Sequence, residues 1–165
     1  MTTALVVIDM QVSLIEDETP DPDRIMSIVF DLVARAREAG VPVVWVTDEN
    51  VTPDPTLHPA FRIKPGEAHV IKRQGNAFAD TALAGELGGR GVDRLVICGM
   101  QSDHCIAQTV RAAPAYGFMV TLVEDAHTTH DFDGRGFRSV IETVNRELAV
   151  LEDVIVVASE RIAFD

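Results

Sequence analysis

A chain of 165 residues with 47% apolar side chains is long enough to bury a substantial core, and one domain accounts for its length. Its formal net charge of −12 and pI near 4.7 exclude the basic surface that nucleic acid or an anionic membrane requires, and solubility is the plain reading of the acidity. The two cysteines, Cys98 and Cys105, make neither a disulfide framework nor a paired CxxC metal site, which fits a reducing, cytoplasmic setting.

The segment MTTALVVIDM has no basic region before its short apolar run, so it reads as a strand rather than a leader or a membrane span. Leu5 to Ile8 carries the continuous branched character of a buried parallel strand, and Asp9 interrupts it where the strand should emerge. A carboxylate there is either a turn residue or a site residue, since open α/β sheets place their sites at strand ends. Gln11 is a further site candidate. The next helix is marked by Asp21 as cap, Pro22 at the first helical position, and an apolar stripe of Ile25, Ile28, Val29, Leu32, Val33 and Ala36. Gly40 ends it.

Val41 to Thr47 reads as the second strand, with Pro42 at its start, where a missing donor is tolerated. Asp48 to Glu67 is rich in proline and charge without a period, hence a long loop, which assigns it to a pocket or its rim. Trp45, Leu57, His58 and Phe61 are its candidate wall or packing residues. A short third strand, His69 to Ile71, precedes Lys72, and a helix through Thr81, Leu83, Ala84 and Leu87 ends in the Gly88-Gly89 and Gly91 turns.

Leu95 to Cys98 is again an unbroken apolar strand, closed by Gly99, and a helix follows with Ile106, Thr109, Val110 and Ala113 at helical spacing. Ser102 or Asp103 is the expected cap, which sets Cys105 in the first turn. Unpaired amides and the positive end of the helix dipole favour a thiolate there and could hold an oxyanion. Cys98, inside the strand, reads as a small buried hydrophobe. Met119 to Val123 forms the fifth strand; Glu124, Asp125, His127, His130 and Asp131 crowd the loop after it, where capping and solvent exposure explain them better than a metal. A helix from about Arg135 to Ala149 presents Phe137, Val140, Ile141, Val144 and Leu148 to the sheet, and Val154 to Val157 is the last strand. Strands alternating with helices predict a three-layer α/β/α sandwich on a mainly parallel six-stranded sheet.

In LVVIDMQ (Leu5 to Gln11), VIKRQGNAF (Val70 to Phe78), LVICGMQSDHC (Leu95 to Cys105) and VTLVEDA (Val120 to Ala126) the sequence resembles the isochorismatase-like cysteine hydrolases, which include nicotinamidases and N-carbamoyl amidohydrolases. The resemblance implies strand order 3-2-1-4-5-6 and a triad of Asp9, Lys72 and Cys105. It also implies a cis peptide between Met100 and Gln101 that turns the Gln101 and Cys105 N–H groups toward a substrate carbonyl. Asn76, Ala77 and Phe78 resemble the family's turn after the lysine, and Gln11, Trp45, Phe61 and Phe78 are the expected substrate-binding residues. Nicotinamidases carry an Asp-x-His pair that helps hold a metal, whereas here the matching place reads Asp48, Glu49, Asn50. The second ligand is missing, so neither a metal nor a cofactor is expected.

The activity implied is hydrolysis of a small amide or carbamoyl C–N bond through a thioester, in a homodimer or homotetramer. Two alternatives stand beside it. Isochorismatases proper cleave a vinyl ether on the same fold without the cysteine nucleophile, so Cys105 argues against that chemistry. A non-enzymatic binding or redox-sensing protein would use Cys105 as an oxidisable thiol, and it would not need Asp9 and Lys72.

Overall fold

The computed structural model describes residues 1–165. Six strands, β1 (Thr3–Ile8), β2 (Val43–Asp48), β3 (Ala68–Lys72), β4 (Arg94–Met100), β5 (Met119–Thr128) and β6 (Val154–Val157), form one sheet in the order β3-β2-β1-β4-β5-β6. Every neighbouring pair is parallel. The expected architecture is therefore the observed one, and the winding reverses between β1 and β4.

Alternation along each strand divides the core into two layers. Leu5, Val7, Val43, Trp45, Val96 and Cys98 face α1 (Pro22–Glu38), whose Ile25, Val29, Leu32, Val33 and Ala36 are buried against them. Ala4, Val6, Ile8, Val44, Val46, Leu95 and Ile97 face α2 (Leu83–Gly89), α3 (Ala107–Ala112) and α4 (Phe137–Ala149). The chain end closes the α1 side: Arg35 donates to the carbonyls of Ser159 and Ile162, and Ile162 is buried there. No helix is long and apolar enough to cross a membrane.

Two expectations about local structure are corrected. Asp21 does not cap α1 with its side chain; its oxygens accept from Arg24 Nε and Thr128 Oγ1 instead, tying the helix start to the end of β5. The fifth strand runs to Thr128 rather than stopping at Val123. A register shift lets Leu122 pair with Ile97 and His127 with Gly99, so Ala126, His127 and Thr128 return to the sheet as buried residues. The charged pair Glu124-Asp125 resembles a loop in sequence because a bulge and a loop use the same residue types.

Gly99 is required by this arrangement. Its φ is +121°, and a Cβ there would collide with the Ile8 carbonyl on the adjoining strand. Since β1 and β4 carry the two sides of the switch point, the collision cannot be relieved without parting them. Gly99→Ala is expected to destabilise the protein by about 3 kcal/mol or more, lowering Tm by roughly 10 °C in a thermal melt; an unchanged Tm would show that the two strands can separate at this point.

Candidate active site

Four side chains meet at the carboxyl edge of the sheet. Asp9 follows β1, Asp48 ends β2, Lys72 ends β3, and Cys105 lies in the turn after β4. The Lys72 ammonium is 3.0 Å from Asp9 Oδ2, 3.0 Å from Asp48 Oδ2, and donates to Cys105 Sγ at 3.1 Å. Lys72 is fully buried and the Asp9 side chain is 1% exposed, while Asp48 keeps 16%. Asp9, Asp48 and Cys105 each present a polar atom within 4.8 Å of the other two. The structure thus brings together Asp9, Lys72 and Cys105, and adds Asp48.

Backbone geometry aims each group. Asp9 sits in the left-handed region, φ +52°, which turns its carboxylate off the strand; aspartate is among the few side chains that adopt this conformation without large cost. One of its oxygens, Oδ1, is buried without a hydrogen-bond partner in the chain. The Met100–Gln101 peptide is cis. The next turn, Ser102–Ile106, is a wide π-type turn leading into α3, a form frequent at functional sites. Gln101 donates its side-chain amide to Glu18 at 2.8 Å, and its backbone N–H makes no hydrogen bond within the chain.

Neither expected cap works as one. Ser102 and Asp103 reach sideways to the end of β5 and the residue after it: Thr129 donates to Asp103 at 2.8 Å, and Ser102 Oγ lies 2.7 Å from His127 Nδ1. His127, expected in a polar loop, is fully buried, with Nε2 2.8 Å from Asn145 Oδ1. The Asn145 amide donates its own N–H to the Glu124 carbonyl, which fixes its orientation and assigns the proton of His127 to Nε2. Ser102 then donates to Nδ1. Burial holds His127 down at about 4, against a small rise from Asn145, so it is neutral. Ser102, His127 and Asn145 thus fasten the turn that carries Cys105 to β5 and α4. Asn145 lies beside Val144 at the margin of the apolar stripe of α4, the one sequence signal for it.

The electrostatics correct the expectation of a resting thiolate. Burial pushes the Cys105 thiol up to about 12; the Asp9 charge adds to this and Lys72 opposes it. Burial also raises the Asp9 carboxyl to about 6, against the pull of Lys72. Burial alone would lower Lys72, but Asp9, Cys105 and Asp48 together hold it above the ordinary lysine value. At neutral pH the centre therefore holds a thiol, an ammonium and a carboxylate.

The remaining expected residues lie elsewhere. Gln11 is fully buried and serves as a loop anchor: its amide exchanges hydrogen bonds with the Asp48 backbone and donates to the Pro55 carbonyl. Trp45, three residues before Asp48, falls on the α1 face; its ring packs tilted against Phe61 at 5.8 Å and donates Nε1 to Glu67. With Phe30 and Val33 these two rings line a cavity under α1 that does not include Cys105. Phe78 is buried in the opposite layer, stacked on Phe118 and Tyr116. Alternation explains the placement of Trp45, whose side chain points into the α1 layer rather than over the sheet edge.

The residues where nicotinamidases hold a metal do not fit one here. Asp48 Oδ2 faces Lys72 and its Oδ1 accepts from the Asn50 N–H, while His58 pairs with Glu16 and accepts from the Ala60 N–H. The positive charge among Asp9, Asp48 and Cys105 is the lysine's own.

Comparison with known proteins agrees with this frame. The Isochorismatase domain matches residues 3–152, and the chain belongs to the isochorismatase family. It is 37% identical over 138 residues to a streptothricin hydrolase from Streptomyces noursei, covering 78% of this chain and 55% of that one. The chain therefore spans about half the length of the streptothricin hydrolases it matches. An isochorismatase family protein from Bacillus subtilis is 34% identical over 142 residues, with 78% and 79% of the two chains covered. Among solved structures, an isochorismatase from Pseudomonas putida superposes with a TM-score of 0.84 at 27% identity over 98% of this chain and 90% of that one. A cysteine hydrolase from Pseudomonas syringae shares the fold, TM-score 0.88 at 20% identity, over 96% and 89% of the chains.

The raised Asp9 value has a measurable sign. Between the ordinary carboxyl value of 3.8 and about 6 the folded state holds a proton that the unfolded state has lost. The stabilisation from Asp9 is thus complete below 3.8 and disappears as pH rises to about 6. Asp9→Asn has no such loss, so its stability relative to wild type should grow from pH 4 to 6 by up to about 1.4 kcal/mol per pH unit in denaturant titrations. A constant difference across that range would mean that Asp9 ionises as an ordinary carboxylate.

Proposed function

We propose that the protein is a cysteine-dependent hydrolase of a small-molecule amide or carbamoyl C–N bond. The observation that carries this reading is the contact of one buried ammonium with both Asp9 and Cys105. A thiol whose proton has a carboxylate acceptor within reach, and whose resulting thiolate has a cation at 3.1 Å, is equipped for nucleophilic attack. The relatives named as streptothricin hydrolases support hydrolysis as the reaction type.

Asp9 takes the Cys105 proton as sulfur attacks the substrate carbonyl, and Lys72 stabilises the charge passing between sulfur and carboxylate. The carbonyl oxygen becomes an oxyanion, for which the N–H groups of Gln101 and Cys105 are the donors in this reading, each worth about 3 kcal/mol where such donors have been removed in other enzymes. The C–N bond breaks, the nitrogen leaves with the proton held by Asp9, and a thioester remains. Water then adds to the acyl carbon with its proton passing to Asp9; the C–S bond breaks and the proton returns to sulfur. Asp9 alternates between acid and base, a task suited to a carboxyl near 6. No cofactor enters these steps. Family resemblance supports a cytoplasmic homodimer or homotetramer acting on a small molecule.

The thioester is the distinguishing intermediate, because vinyl-ether hydrolysis and simple binding do not pass through it. With a slow amide substrate, or an aldehyde that stops at the thiohemiacetal, intact mass should rise by one acyl group or one aldehyde, located on Cys105 by peptide mapping. Cys105→Ala should lose both the adduct and ammonia release, and Lys72→Ala should slow turnover by about a hundredfold or more with the fold retained. A Cys105→Ala variant with wild-type turnover would refute covalent catalysis and favour the isochorismatase reaction.

A further inference from the structure

Asp48 is not part of the Asp-Lys-Cys triad, yet it is held as firmly as the triad members. It is the register partner of Lys72 across β2 and β3. Its backbone N–H and carbonyl are both bound by the buried Gln11 amide, at 2.9 and 2.8 Å, and its Oδ1 accepts from the Asn50 N–H at 2.9 Å. The free oxygen of that fixed carboxylate meets the Lys72 ammonium at 3.0 Å, the same distance as Asp9. One cation therefore serves two carboxylates and a sulfur inside a site that excludes water from Lys72.

We propose that Asp48 is a charge-sharing residue of the catalytic centre: by taking part of the Lys72 ammonium, it keeps Asp9 from being over-stabilised as a carboxylate and leaves it able to accept and return the Cys105 proton. This rests on the reading of Cys105 as nucleophile and Asp9 as its base. A lysine committed to Asp9 alone would fix that carboxylate in its ionised form and weaken it as a base, since an opposite charge at this range lowers a carboxyl by one to three pH units, roughly. A second anion beside the same cation works in the opposite direction.

No other charge competes for this role. Asp9 faces Lys72 from the end of β1, Asp48 from β2 and Cys105 from the turn after β4. The neighbouring charges are engaged elsewhere: Arg73 pairs with Glu49 on the exposed side, Glu16 with His58, Glu18 binds the Gln101 amide, and Asp103 binds Thr129.

The test uses iodoacetamide as probe, so it needs no substrate and is independent of which bond the enzyme cleaves. The rate of Cys105 alkylation in the intact protein, followed by peptide mass mapping, should rise with pH as the Asp9–Cys105 pair loses its proton. In Asp48→Asn that profile should move to lower pH by about one unit, so that Cys105 reacts about tenfold faster on the low-pH limb. Asp48→Glu, which keeps the charge, should stay with wild type. Thermal melts establish that each variant is folded, and Asp48→Ser, whose hydroxyl can still accept from Asn50, supplies the same comparison if the asparagine variant does not fold. A profile that stays in place or moves to higher pH on loss of the charge would overturn the proposal, as would an equal shift in Asp48→Glu. Failure of amide turnover with the predicted shift present would instead count against the reaction assigned above.

Discussion

Lys72 carries a full positive charge to a position with no solvent exposure, and the arrangement at the sheet edge follows from what that charge needs. An ion removed from water to this extent costs several kcal/mol unless partners surround it. Asp9, Asp48 and Cys105 are those partners, one from each of three different chain segments. The parallel order of the sheet makes the meeting possible, because the carboxyl ends of β1, β2, β3 and β4 all open on one edge. Breaking one partner would leave the others with an uncompensated buried charge, so the same contacts that set the chemistry also hold the strand ends together.

Burial sets the proton inventory. It raises both acids, Asp9 to about 6 and Cys105 to about 12, while the surrounding anions keep Lys72 ionised. Cys105 is therefore held as a neutral thiol rather than a standing thiolate. This differs from a cysteine activated by a helix terminus alone, where the dipole would maintain a standing thiolate. A wide turn fastened through Ser102, His127 and Asn145 positions the sulfur, and the helix α3 begins only after it.

Much of this was legible in the sequence, for identifiable reasons. Continuous branched apolar runs such as Leu5 to Ile8 and Leu95 to Cys98 mark strands buried on both faces, and single charged residues at their ends, Asp9 and Lys72, mark the edge where a site forms. Asp48 was visible as a residue but not in its role, because register pairing with Lys72 is a property of the sheet and not of the loop that follows. His127 reads as a loop residue because a buried, hydrogen-bonded histidine and an exposed loop histidine look alike without their partners, which here lie 25 residues before it and 18 after. A large aromatic near a long loop reads as a pocket wall, as Trp45 and Phe61 do, whereas strand alternation turns Trp45 toward α1.

The claim on which the rest depends is that Lys72 remains an ammonium in its buried setting. The chain contains two lysines, the exposed Lys64 and Lys72, so a protein labelled with 15N at the lysine side chains gives a two-signal spectrum that substitution of Lys64 assigns. In a pH titration the Lys72 Nζ signal should hold its ammonium shift through pH 10.4, the ordinary lysine value, and move only above it. A Lys72 signal that titrates at or below about 10 would mean that desolvation prevails over the three partners, and the electrostatic account of the site would be contradicted.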